Sequence, residues 1–151
     1  NQKAKNLKFV LGDMTKMNIK SSTFDVVTCI SAIEHVDMKK NGFYTEKKYL
    51  ARALMSLKEM VRVLKPGGTL YITTEFYLRQ QKTDKWQYSK KQIRGSFRFS
   101  YLPKMIATLQ KAGIKFDSKP EVESEYLLNN SDRSNFRGRF MSTYAFRGKK
   151  L

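Results

Sequence analysis

Apolar positions along this chain follow two rhythms, and each change of rhythm marks an element. The run Phe24-Asp25-Val26-Val27-Thr28-Cys29-Ile30 shows no clean alternation. A short run of that kind predicts a strand covered on both faces in a parallel sheet. Further on, Leu50, Leu54, Leu57, Val61 and Leu64 recur at i, i+4, i+7, i+11 and i+14. That is one stripe down one side of a helix over residues 45–64, and Lys47, Lys48, Arg52, Lys58 and Glu59 fall off it toward solvent. Thr45 suits the N-cap, and Pro66-Gly67-Gly68 stops the helix and turns the chain. A strand follows over residues 69–74. A second helix spans residues 100–113, with Leu102, Met105, Ile106, Leu109 and Ala112 on its inner side. Ser100 can cap it, Pro103 is tolerated in its first turn and Gly113 can end it. Shorter strands are predicted over residues 8–11, 114–118 and 140–147, with Gly148-Lys149-Lys150 as a tail. Residues 14–22 read as a polar connection. Glu121, Glu123 and Glu125 alternate with Val122, Ser124 and Tyr126 in an exposed extended segment.

The order is strand, strand, helix, strand, basic flap, helix, strand, strand. Strands alternating with helices predict an α/β fold with an open, mostly parallel twisted sheet. The last two strands have only a loop between them, so they are expected to form an antiparallel hairpin. With 151 residues, 40% of them hydrophobic, the chain has material for one domain and its core. No stretch of about 20 apolar residues is present to span a membrane. The opening residues Asn1-Gln2-Lys3-Ala4-Lys5-Asn6 do not resemble a signal peptide, and a cytoplasmic location is expected. One cysteine and one histidine cannot make a zinc site. Cys29, inside an apolar strand, reads as a small buried hydrophobe in a reducing compartment.

Charge changes the picture at one place. Thirty Lys and Arg against 13 Asp and Glu give a net +17, which favours polyanionic partners. Over residues 76–99, Arg79, Lys82, Lys85, Lys90, Lys91, Arg94 and Arg98 face a single acid, Asp84. Trp86, Tyr88, Phe97 and Phe99 are interleaved among them. Two readings stay open. The aromatics stack on bases while the cations neutralise phosphates, or they pack down over a pocket while the charges face water.

In an open α/β sheet, ligands bind beyond the carboxyl ends of the strands. Three positions qualify: Asp13 and Met14, the corner from Ser31 through Glu34 and His35, and Glu75 through Tyr77. Each also has a plainer reading. Asp13 can cap the turn that follows it, Glu34 can satisfy the amides of a helix start, and His35 can be an ordinary loop histidine.

Three motifs occur together: Gly12-Asp13 after a strand, Phe24-Asp25-Val26-Val27 leading to Ile33-Glu34-His35-Val36, and Arg62-Val63-Leu64-Lys65-Pro66-Gly67-Gly68. In this combination the chain resembles class I S-adenosylmethionine-dependent methyltransferases, most closely the group acting on small molecules. The resemblance covers residues 7–75 by motif and extends to the end by element order. It implies a Rossmann-like sheet and S-adenosyl-L-methionine as cofactor. It also implies that Asp13 accepts a hydrogen bond from the adenine amino group, as an ionised carboxylate can, and that Met14 meets the adenine ring. Ile30 and Ser31 would line the methionine part. His35 would face the acceptor and orient or deprotonate it, with Glu34, Glu75 and Tyr77 on the substrate side.

The family's glycine-rich loop is not found, since no Gly-x-Gly occurs before Gly67, and the acid that holds the ribose is also lacking. By element order the chain enters the family fold at its third strand. In the family order 3-2-1-4-5-7-6, the first two strands separate the third from the fourth. They are expected from an upstream segment or from another chain; otherwise the third and fourth strands pair directly. The leading expectation is methyl transfer to a small-molecule or lipid-like acceptor beneath the 76–99 flap. RNA or another polyanion as acceptor, and a binding module without catalysis, are the alternatives.

Overall fold

The computed structural model describes residues 6–36, 46–77, 97–117 and 141–151. Its elements are β1 (Phe24–Ile30), a 3-10 turn (Ile33–His35), α1 (Glu46–Val63), β2 (Leu64–Tyr77) and β3 (Phe97–Arg98), then a 3-10 turn (Phe99–Tyr101), α2 (Leu102–Lys111), β4 (Ile114–Phe116) and β5 (Met141–Lys150). The sheet runs β1-β2-β5-β4. β1 lies parallel to β2, and β5 is antiparallel to both β2 and β4. The expected hairpin is therefore present, with β5 inserted between β2 and β4. β1 pairs with β2 as far as Ile30↔Thr73, and β3 pairs with the two residues at the end of β2, Phe76 and Tyr77. The chain leaves the sheet at Ser31, between these two pairings.

Period-two alternation on β2 decides which face is covered. Leu70, Ile72, Thr74 and Phe76 are buried, whereas Thr69, Tyr71, Thr73 and Glu75 remain half-buried on the other face. The helices supply the cover. Ala53, Leu57, Met60 and Val61 of α1 and Leu102, Met105 and Leu109 of α2 join β2 in one core with Cys29, Phe97 and Phe146. Each fully buried aliphatic or aromatic side chain there contributes about 1.5–3 kcal/mol of transfer free energy. Among the described residues both helices lie on that one face. β1 accordingly differs from its sequence expectation: Cys29 is buried, but Val26 and Ile30 stay 54% and 61% exposed.

Residues 8–11, expected as a strand, join no sheet. Phe9, Val10 and Leu11 are 88%, 70% and 103% exposed. A strand needs a ladder partner, and no described strand lies beside this segment. At the other end, the expected tail Gly148-Lys149-Lys150 belongs to β5 and pairs with Phe116, Lys115 and Ile114. A Cβ on Gly148 would come within 2.7 Å of the Lys115 carbonyl oxygen, so the close approach of β4 selects glycine. Lys150 then folds back on α1, donating from Nζ to the Val61 and Leu64 carbonyls at 2.9 and 2.7 Å. It thereby satisfies carbonyls at the helix C-terminus. β2 starts earlier than predicted because Leu64 already pairs with Phe24; the register shifts before Val26↔Thr69. Gly67, at φ +74°, and Gly68, whose Cβ would sit 2.9 Å from the Asp25 carbonyl oxygen, absorb that shift. The acidic 121–126 segment and residues 78–96 of the basic flap lie outside the described residues. The flap's described root, Phe97, is fully buried and packs against Phe76 and Tyr49 at ring distances of 5.8 and 5.1 Å.

Candidate cofactor site

Residues 13–21 are held to α1 by a charged clamp. Arg62 donates from Nε and Nη2 to the two carboxylate oxygens of Glu59 at 2.7 and 2.8 Å. Its Nη1 and Nη2 also reach the carbonyls of Ile19 and Met17 at 2.7 and 3.0 Å. Glu59 in turn accepts the Met17 N–H at 2.8 Å. Each partner lowers the cost of the other's charge: Arg62 hydrogen bonding holds the Glu59 carboxyl below its ordinary range, and Glu59 raises the guanidinium. The consequence is positional. The chain before β1 is fixed alongside that strand, and Met14 and Met17 become one wall of a groove.

Asp13 opens this segment as a turn cap. Its Oδ1 accepts the Thr15 N–H and hydroxyl at 2.8 and 2.7 Å. Arg52 of α1 reaches Oδ2 at 3.2 Å. The Thr15 N–H, then its hydroxyl, and then Arg52 hold the carboxyl below the ordinary carboxylate range. The side chain is still 52% exposed, so an ionised acceptor faces outward with lone pairs to spare.

The groove encloses about 340 Å³ along the free edge of β1. Met14 and Met17 line one side, Val26, Val27, Cys29 and Ile30 the other, and Ala32, Met60 and Val63 complete it. Its walls are almost wholly apolar. It brings Met14 and Ile30, far apart in sequence, into one concavity. Cys29 lies at its base, where burial first and the nearby Glu34 charge second push the thiol up to about 11. That thiol is a packing group.

At the carboxyl end of β1 the chain turns through Ser31, which adopts φ +42°. A left-handed serine is uncommon and persists only where neighbours fix it. Thr73 of β2 does so: the Ser31 N–H donates to its carbonyl at 3.0 Å and to its hydroxyl at 3.2 Å. The 3-10 turn follows, closed by the His35 N–H on the Ala32 carbonyl at 3.0 Å. His35 is exposed. Glu34, beside it, is 1% exposed and points inward. Its Oε2 accepts the Thr74 hydroxyl at 2.8 Å, and its backbone carbonyl accepts the Tyr49 hydroxyl at 2.7 Å. Among the described residues its buried Oε1 has no hydrogen-bond partner. Glu75 is half-buried on the open sheet face, in register with Thr143. The Tyr77 backbone pairs with Arg98 and Met141.

Sequence reasoning did not single out Tyr49, Thr73, Thr74 or the Arg62–Glu59 clamp. Tyr49 directly precedes the first stripe leucine and Thr74 sits on the inward rhythm of β2; both were visible as positions, but neither as partners of the corner. Among the described residues no group of His, Cys, Asp and Glu could hold a metal ion.

A family model for a methyltransferase domain matches residues 1–72. A comparison of the sequence with curated proteins finds no match. In structure, the chain resembles the [4+2]-cyclase SpnF with a TM-score of 0.57 at 15% identity, over 94% of this chain and 55% of that one. It resembles CrArsM, an arsenic(III) S-adenosylmethionine methyltransferase from Chlamydomonas reinhardtii, with a TM-score of 0.52 at 16% identity, over 93% and 43%. A putative methyltransferase from Haloferax volcanii, solved in complex with the Trm112 methyltransferase activator, gives 0.52 at 16% identity over 99% and 64%. The chain thus spans between 43% and 64% of the length of these structures. Residues 1–72 are thus similar in sequence to a methyltransferase domain, and the chain shares its Rossmann-like α/β fold with these solved structures.

Proposed function

We propose that this chain forms the acceptor-side part of a methyltransferase that passes a methyl group from S-adenosylmethionine to a small molecule. One observation supports the reading: Met14 and Ile30, the chain neighbours of Asp13 and Ser31, line a single apolar groove. The residues present fit the adenosine and sulfonium portions of the cofactor. Met14 offers a flexible apolar wall to an adenine ring, and Asp13 an outward acceptor to its amino group. Ile30 and the left-handed Ser31 border the sulfonium end. The cofactor, when bound, supplies an electrophilic methyl group on sulfur.

What remains for the protein is placement and exclusion of water. The Ser31 corner fixes the end of the strand, His35 faces the acceptor and can take its proton, and Glu75 and Tyr77 stand on the acceptor side at the end of β2. The free edge of β1, with Val26 and Ile30 exposed beside the groove, suits a further strand that completes the site.

Titration calorimetry of S-adenosylmethionine into the full-length protein tests this reading, followed by a methyl-transfer assay on a panel of small acceptors. Micromolar binding with transfer to a small acceptor is expected. No heat would leave only a binding module. Transfer confined to RNA, with affinity falling steeply as salt rises, would reassign the acceptor.

A further inference from the structure

Glu34 is an anomaly as a structural residue. A carboxyl group that is 1% exposed, with one oxygen on Thr74 and the other unpaired among the described residues, costs folding free energy. An apolar pair of similar shape at positions 34 and 74 would be nearly neutral or stabilising. The pair therefore requires an explanation other than stability.

Its location provides one. Among the described residues, the corner from Ser31 to His35 is anchored by Ile33, fully buried in the core, and by three hydrogen-bonded attachments. Ser31 is held on Thr73, the Glu34 side chain on Thr74, and the Glu34 carbonyl on Tyr49 of α1. Among the described residues, Ile33 holds the corner by apolar packing, and the Glu34–Thr74 bond is the hydrogen bond that a side chain of the corner makes to the interior. It lies one residue before the exposed His35 and three after the left-handed Ser31. Without it, the short 3-10 turn keeps its backbone bonds and the buried Ile33 but loses the directional bond next to His35.

We propose that Glu34 is a positioning residue for methyl transfer: its buried bond to Thr74 sets the orientation of the Ser31–His35 corner toward the acceptor. The inference rests on the functional reading above and deepens it. A misplacement of about 1 Å at a reacting group can cost roughly a hundredfold in rate, so the latch matters to turnover more than to cofactor affinity.

The test compares the full-length wild type with Glu34→Gln, Thr74→Ser and the double variant Glu34→Leu/Thr74→Val. Gln keeps an acceptor for Thr74 and Ser keeps a hydroxyl donor, so both should retain turnover within about threefold. The double variant should keep or raise the melting temperature and keep its affinity for S-adenosylmethionine. Its kcat should fall roughly ten- to hundredfold. A second readout does not depend on activity. The His35 imidazole signal, assigned by its loss in His35→Gln, should shift or broaden in the double variant and stay in place in the Gln and Ser variants. An unchanged kcat and His35 signal in the double variant would overturn the proposal. So would a melting temperature that falls in step with activity, since Glu34 would then serve the fold. If the wild type neither binds the cofactor nor transfers methyl, the functional reading fails separately. The His35 signal still decides whether the latch exists.

Discussion

At the scale of single residues, two titratable groups give opposite pH behaviour. Cys29 is pushed up to about 11 by burial, so at pH 8 roughly 0.1% is thiolate. Iodoacetamide at that pH should leave the native thiol unmodified for hours, yet label it at once in denaturant; rapid labelling of the native protein would contradict its buried place. The raised value also fixes a sign. The stability it contributes is complete below about pH 9 and declines as pH rises toward 11. Asp13 behaves the other way. The Thr15 N–H and hydroxyl depress its carboxyl, so the turn stays closed above the ordinary carboxylate range and opens as pH falls below it. The Thr15 amide signal should follow that opening. In the full-length protein Asp13→Ala should weaken S-adenosylmethionine binding roughly ten- to hundredfold. Unchanged affinity in titration would leave Asp13 as a turn cap alone.

At the scale of elements, what the sequence disclosed depended on how local the cause was. The leucine stripe of α1 and the apolar face of α2 were legible because helical periodicity is written within a dozen residues. The glycine pair at Gly67 and Gly68 was legible as a turn, but not its reason, the nearby Asp25 carbonyl. The end of β5 was hidden because Gly-Lys-Lys looks like a solvated tail. Its pairing with β4 and the Lys150 caps on α1 are contacts across the molecule. Residues 8–11 read as a strand because they are apolar, yet propensity cannot supply a partner. Two changes test this level. Gly148→Ala should destabilise by about 1–3 kcal/mol, since the clash is with β4 backbone; chemical denaturation that shows no loss would refute the close approach. Arg62→Ala should free the segment from Met17 to Ser21 while β1 and β2 persist. Limited proteolysis should then cut there first, and a cleavage pattern identical to wild type would mean the clamp is dispensable.

At the scale of the whole molecule, the described residues cover one face of a sheet whose terminal strands are β1 and β4. Helices α1 and α2 bury the inner side of the sheet, and the groove follows the unpaired side of β1. Among the described residues no helix is long and apolar enough to cross a membrane. The sequence argument pointed beyond the strand ends, where such sheets bind ligands; the groove that Met14 and Ile30 share runs along β1 from Phe24 to Ile30. The site was not legible as bonding. Nothing in the order of residues says that Glu34 turns inward to Thr74 while His35 turns out.

The central claim is that the cofactor lies in the groove between the segment at Asp13–Met14 and the end of β1. A crystal structure of the full-length protein with S-adenosylhomocysteine measures it most directly. The adenine ring should contact Met14, its amino group should reach Asp13, and the sulfur should lie beside Ile30 and Ser31. Ligand density on the opposite edge of the sheet, or on the α1–α2 face, would contradict it.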